Sequence, residues 1–171
     1  TADLAGFAQT DGKKKQKRDN SVFAVVKVGD FKDEEGPYNW YVKELVIGRW
    51  SVSQTAGKLF NLIEKYHPRA VGIEKGIAQQ AVMDPLEAMM RQRNRFFRVE
   101  PLTHGNQKKT DRVVWALEGR MERHELRFNK GDWNTQFEDE LLQFPDKLTK
   151  DDCPDALSYI SQLDETTYHS V

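Results

Sequence analysis

Three separated apolar runs, each closed by a turn, a proline or an acid, constrain the fold of this chain more than any other feature. Ser21 to Val28 gathers Val22, Phe23, Val25, Val26 and Val28, the β-branched and aromatic residues that suit a strand. Phe31 to Pro37 holds the polar turn Asp33-Glu34-Glu35-Gly36-Pro37, after which Tyr38 to Val46 resumes with Trp40, Tyr41, Val42, Leu45 and Val46. The two runs read as a hairpin. The third run, Ala70-Val71-Gly72-Ile73, ends on Glu74 and reads as a short buried strand.

Between and after these runs the apolar period changes to that of a helix. Ser51 and Ser53 are N-cap candidates for a helix bearing Ala56, Leu59, Phe60 and Ile63, which His67-Pro68 ends. Further helices are expected over Ala78–Arg93, Thr110–Arg123 (with Val113, Val114, Leu117 and Met121 on one side) and from Asn134 or Thr135 to Leu142. A last helix has Pro154 in its first turn and Ala156, Leu157, Ile160 and Leu163 on its buried face. Phe96, Phe97 and Val99 read as a strand ended by Pro101, and Leu126–Phe128 as an edge strand. The opening segment through Phe7 is a candidate first strand. Strands first, then alternating helix and strand, predict an α/β fold: a mixed central sheet with helices on both faces.

A length of 171 residues and 38% hydrophobic content, with four Trp and nine Phe, suit one domain with a real core, spanning 1–171 with a frayed tail over 164–171. No apolar stretch nears the ~20 residues of a membrane span, and the N-terminus does not read as a signal peptide. The missing initiator Met marks a fragment or a processed chain. Cys153 stands alone, so it forms neither an intrachain disulfide nor a thiolate zinc site. His67, His124 and His169 have no partners at metal-ligand spacing, and His104, in a polar loop after Pro101, reads as an exposed loop residue ahead of a general base or phosphate contact.

The chemistry lies in acids at three places. Asp3 opens the chain, Glu74 ends a buried strand, and Asp151, Asp152 and Asp155 cluster where the last helix starts. In open α/β sheets the working site gathers at strand ends. Carboxylates that converge there raise one another's pKa unless a cation lies between them, and Mg²⁺ or Mn²⁺ prefers oxygen ligands. The expectation is a metal-dependent phosphodiester-cleaving site. Taken singly, Asp152 is also explained as a helix cap and Asp3 as a terminal acid.

The chain also resembles a known family, the C-terminal nuclease domain of phage terminase large subunits. Asp3-Leu4-Ala5 followed by Asp19-Asn20-Ser21-Val22-Phe23-Ala24-Val25 is similar to the family's opening acid, loop and second acid before a strand. Gly48-Arg49-Trp50-Ser51 resembles the turn before its first helix, Val71-Gly72-Ile73-Glu74 its strand ending in Glu, and Lys109-Thr110-Asp111-Arg112 its Lys-x-x-Arg helix start. Glu140-Leu-Leu-Gln-Phe144-Pro145 and Asp151-Asp152-Cys-Pro-Asp155-Ala-Leu resemble its closing segment, with Lys150 where members often carry His. The resemblance implies a ribonuclease H-like fold and two-metal cleavage of double-stranded DNA during phage genome packaging. Asp3, Glu74 and Asp152 map onto the metal-binding catalytic acids, Asp151 is a further metal candidate, and Asp19 and Asp155 are supporting acids. It also implies two Mg²⁺ or Mn²⁺ ions, a viral protein in the host cytoplasm, and a longer protein with an ATPase domain, a portal and a small terminase subunit as partners. No Gly-x-x-x-x-Gly-Lys-Ser/Thr loop of an ATPase half occurs in this chain.

Net charge is only −1, but a polyanion responds to local charge. Lys13, Lys14, Lys15, Lys17 and Arg18 form one compact basic run, and Lys109 and Arg112 are further DNA-binding candidates. Solvated loop and helix faces are the ordinary reading of such charges. Two rivals remain at this level: a Holliday-junction resolvase or transposase-like nuclease of the same fold, and a non-catalytic DNA-binding or assembly module.

Overall fold

A computed structural model describes residues 1–5, 20–103, 105, 107–146 and 148–163. The readings of Lys13, Lys14, Lys15, Lys17, Arg18, Asp19, His104 and the tail 164–171 fall outside these residues. Among the described residues the chain forms six strands: β1 (Ala2–Asp3), β2 (Ser21–Asp33), β3 (Gly36–Gly48), β4 (Val71–Glu74), β5 (Val99–Leu102) and β6 (Leu126–Phe128). Five helices accompany them: α1 (Val52–Tyr66), α2 (Ile77–Arg93), α3 (Lys109–Glu122), α4 (Asn134–Gln143) and α5 (Asp152–Ser158).

The strands make one sheet in the order β5-β4-β1-β2-β3-β6. β2 pairs antiparallel with β1 and β3, whereas β1–β4, β4–β5 and β3–β6 are parallel, so β2 alone runs against the rest. Alternate residues of β2 face opposite sides of the sheet, as a two-residue period requires. Val22 and Ala24 join Trp40, Val42, Val113, Leu117, Ala156 and Leu157 in one core, which places α3, α4 and α5 on that face. Phe23 joins Ile73, Leu59, Phe60, Val82 and Leu86 in a second core under α1 and α2. Ser51 caps α1 through a capping box with Gln54, and His67 ends it in the left-handed region at φ 46°.

Several expectations are corrected. The hairpin is longer than its apolar runs, with Asp33 opposite Gly36 and Pro37 inside β3. β5 starts at Val99 and includes Pro101, while Phe96 stays 70% exposed. An edge strand tolerates a proline, because its outer side needs no N–H. On α3 the buried positions are Arg112, Val113, Ala116 and Leu117; Val114 and Met121 are exposed. Asn134 does not cap α4 with its side chain; its Oδ1 accepts from the Gly131 N–H at 2.6 Å.

Candidate active site

Register builds the site. Ala2 lies opposite Ile73 in the parallel pairing of β1 and β4, so the next residues along, Asp3 and Glu74, stand side by side at the ends of their strands. Asp3 also lies opposite Val22, whose side chain belongs to the core beneath α5, so both carboxyls rise on the α5 side of the sheet. Thr1 ties the two elements together, its Oγ1 donating to the Ala156 carbonyl of α5 at 2.7 Å.

Burial pushes the Asp3 carboxyl well above its ordinary value. A hydrogen bond shared with Glu74 and the negative charges of Asp155 and Glu74 act in the same direction, and only Lys109 opposes them. A hydrogen bond between two carboxyl groups requires a proton on one of them. That proton neutralises charge at a point where two oxygen-rich side chains converge, a task a hard divalent cation performs better. Carboxylate oxygens are the donors that Mg²⁺ and Mn²⁺ prefer.

The aspartates of α5 have different surroundings. Asp155, 3% exposed, pairs with Arg112, which is equally buried, and with Lys109 Nζ at 2.9 Å. Arg112 also donates from Nε to Ser158 Oγ at 3.3 Å and lays its guanidinium over the Tyr159 ring at 4.3 Å. Asp151 Oδ1 also accepts from Lys109 Nζ, at 2.8 Å. Burial alone would lower the Lys109 ammonium, but Asp155 and Asp151 together hold it above its usual value. Asp152, one turn before Asp155, accepts the Asn20 N–H on Oδ2 at 2.9 Å, with Lys150 Nζ 3.9 Å from the same oxygen. The structure thus brings Asp3, Glu74 and Asp155 within electrostatic reach of one another and sets Asp152 toward Asn20. Among the described residues, no three His, Cys, Asp or Glu side chains form a ready-made metal cage. Arg112 and Lys109, read from sequence as DNA contacts, are engaged inside the domain by Asp155 and Asp151.

Two contributors have no role assigned to them in the sequence reading, although Glu140 opens one of its quoted segments. Tyr159 is fully buried, and burial followed by the charge of Glu74 holds its phenol above the usual range, so it stays protonated beside the acids. Its place four residues after Asp155 is the signal that sequence offers. Glu140 of α4, 6% exposed, accepts the Cys153 N–H on Oε2 at 2.7 Å and so caps the start of α5 from outside. Glu140→Ala orphans that buried N–H and should cost about 1–3 kcal/mol in a urea melt, with Glu140→Gln losing less because it keeps an acceptor. The Cys153 thiol is raised first by burial and then by Glu140, which makes it an inert packing group.

A sheet in which the second strand alone is reversed, with acids paired at the ends of its central parallel strands, defines a ribonuclease H-like domain. The chain belongs to the terminase RNaseH-like domain family, whose model matches residues 6–162, beginning just past Asp3. A comparison with curated proteins returned no match. Membership carries a nuclease role in DNA packaging.

Proposed function

We propose that the domain is a metal-dependent endonuclease that cuts double-stranded DNA during phage genome packaging by two-metal phosphodiester hydrolysis. One observation carries the reading: Asp3 and Glu74 meet side by side at the ends of adjacent central strands, under a helix start that bears three aspartates. Asp3, Glu74 and Asp152 are the proposed ligands, with Asp151 beside them. When bound, Mg²⁺ or Mn²⁺ supplies an activated water and charge neutralisation at the leaving oxygen. The chain's own residues set the stage. Ladder bonds to β2 and β4 fix β1 and so Asp3; Arg112 and Lys109 hold Asp155 in place as a supporting acid, and Tyr159 stays a neutral phenol near Glu74.

Nicking of a supercoiled plasmid tests the reading. Cleavage with Mn²⁺ or Mg²⁺, lost on chelation, is expected; intact plasmid at every metal concentration would return the domain to the rival reading of a DNA-binding module. The run Lys13, Lys14, Lys15, Lys17 and Arg18 is proposed to hold phosphates, which position DNA without reading sequence. Replacing these five residues with Gln should flatten the plot of log affinity against log salt by up to about 4.5 in slope, at roughly 0.9 for each phosphate no longer neutralised. An unchanged slope would assign the run to solvent.

A further inference from the structure

Lys109 and Arg112 are engaged by Asp151 and Asp155, so a polyanion reaching the acids has to meet its cations elsewhere on that face. The sheet register supplies one. Asp3 lies opposite Val22, and Val22 opposite Ile47, so β3 runs two strand positions from the acid, about 10 Å across the sheet. Val22 and Ile47 both pack into the core beneath α5. Successive residues alternate between faces, so the residues two further toward the site end of each strand, Asn20 and Arg49, return to the α5 side. Hydrogen bonds tie them there. The Asn20 N–H donates to Asp152 Oδ2 at 2.9 Å, and Arg49 Nε donates to Asn20 Oδ1 at 3.2 Å.

The turn that carries Arg49 is fixed from the other face. Trp50 stacks on Phe23, with ring centroids 5.3 Å apart, beside the core under α1 and α2. Its ring lies so close to Gly48 that a Cβ there would come within 2.5 Å of it. Gly48 and Trp50 thus hold the backbone on either side of Arg49, which is itself exposed. The amide oxygen of Asn20 orients the guanidinium without cancelling its charge. Arg112 is the contrast, because Asp155 neutralises it inside the domain. Solvation is the ordinary state of an exposed arginine. Arg49 departs from it in being oriented by the residue that also holds Asp152.

We propose that Arg49 is a phosphate clamp for the DNA strand being cut, braced by Asn20, a role that rests on the nuclease function proposed above. A duplex strand carries a charge about every 3.4 Å of helix axis, so a strand whose scissile phosphate meets Asp3 and Glu74 has further phosphates within the distance to β3. The guanidinium fork matches phosphate oxygens, so Arg49 sets the position of the strand beside the acids and reads no base. Through Asn20, the clamp and Asp152 share one brace.

Anisotropy of a short labelled duplex, followed in chelator over a series of salt concentrations, tests the clamp without cleavage. Arg49→Gln should lower the slope of log affinity against log salt by about 0.9, the value of one phosphate, and weaken binding roughly tenfold at about 0.1 M salt, whereas Arg49→Lys should keep the slope. Asn20→Ala keeps the backbone N–H for Asp152 but removes the brace, and should weaken binding by a smaller factor. Arg93→Gln removes the same charge at the far end of the 17-residue α2, about 25 Å along the helix from the site, and should leave the slope unchanged. A wild-type slope in Arg49→Gln overturns the clamp, as does an equal drop in Arg93→Gln, which would assign the effect to net charge. A wild-type domain that does not bind the duplex overturns it too, and unchanged binding by Asn20→Ala overturns the brace. Plasmid nicking keeps the two ideas apart. Nicking by the wild type with an unmoved Arg49→Gln slope refutes the clamp alone. A lowered slope with no nicking at any metal concentration refutes the nuclease alone and keeps Arg49 as a phosphate contact.

Discussion

Asp3→Asn should abolish DNA cleavage, by a thousandfold or more on the order of other lost catalytic groups, and should at the same time make the metal-free domain more stable. The two effects share one cause. The Asp3 carboxyl is buried beside Glu74 and feels Asp155, so its ionised form is disfavoured in the fold. Its folded pKa lies above the unfolded value of about 4. Between those two values the folded chain keeps a proton that the unfolded chain has lost. Stability therefore falls as pH rises through that window, and the penalty persists above it. An amide has the shape of the carboxyl, donates to Glu74 without a borrowed proton and carries no charge. In chelator the variant should melt higher than wild type at neutral pH, each kcal/mol gained showing as roughly 2–4 °C in a domain of this size. Mg²⁺ or Mn²⁺ should raise the Tm of the wild type and leave Asp3→Asn nearly unmoved. Cleavage at the wild-type rate, or a lower Tm for the variant in chelator, would remove Asp3 from the site.

The elements that sequence displays well are those whose cause is local. Ala70-Val71-Gly72-Ile73 is an apolar run closed by Glu74, and β4 covers it from Val71, one residue after the run begins. Ser51 and Gln54 carry their own capping box, and α1 starts where they place it. The pairing of Asp3 with Glu74 is legible too, because both acids end strands that a parallel sheet sets side by side. What sequence hides is burial granted by a distant partner. Arg112 looks like a surface cation on a helix, yet Asp155, 43 residues away, makes it an interior residue. The apolar period of α3 is blind to that exchange: it turns Val114 and Met121 inward, and both are exposed. The pattern of α5 shows one buried face, but every residue from Asp152 to Ser158 is buried, because the sheet and other helices surround it. Pro101 reads as a strand end because its missing N–H counts against a ladder, and that penalty vanishes at an edge. The five residues beyond Val28 in β2 look like turn because they carry charge, although a hairpin arm needs no core to stay paired.

The interior charge pair leads to the second large effect. Arg112→Ala should destabilise the domain by about 3 kcal/mol, the low end of the cost of stripping one partner from a buried ion pair. The low end applies because Lys109 still reaches Asp155 at 2.9 Å, although its side chain is 39% exposed and shares itself with Asp151. The guanidinium also takes with it the hydrogen bond to Ser158 and the cover over the Tyr159 ring. Arg112→Lys should recover only part of the loss, since an ammonium lacks the planar fork that serves Asp155 and Ser158 together. Removing both charges, as Arg112→Met with Asp155→Leu, should cost much less than the sum of the single changes, because no buried carboxylate is left unpaired. Urea melts of these variants and of Arg112→Met and Asp155→Leu singly measure this, and an Arg112→Ala domain as stable as wild type would show the pair to be unimportant. The same loss reaches the site. An Asp155 held by one cation instead of two presents more negative charge to Asp3, whose carboxyl already feels it, and so pushes that carboxyl higher still. In the fraction of Arg112→Ala that stays folded, the acid limb of the cleavage pH profile should therefore move upward, a shift that weaker packing alone would not produce.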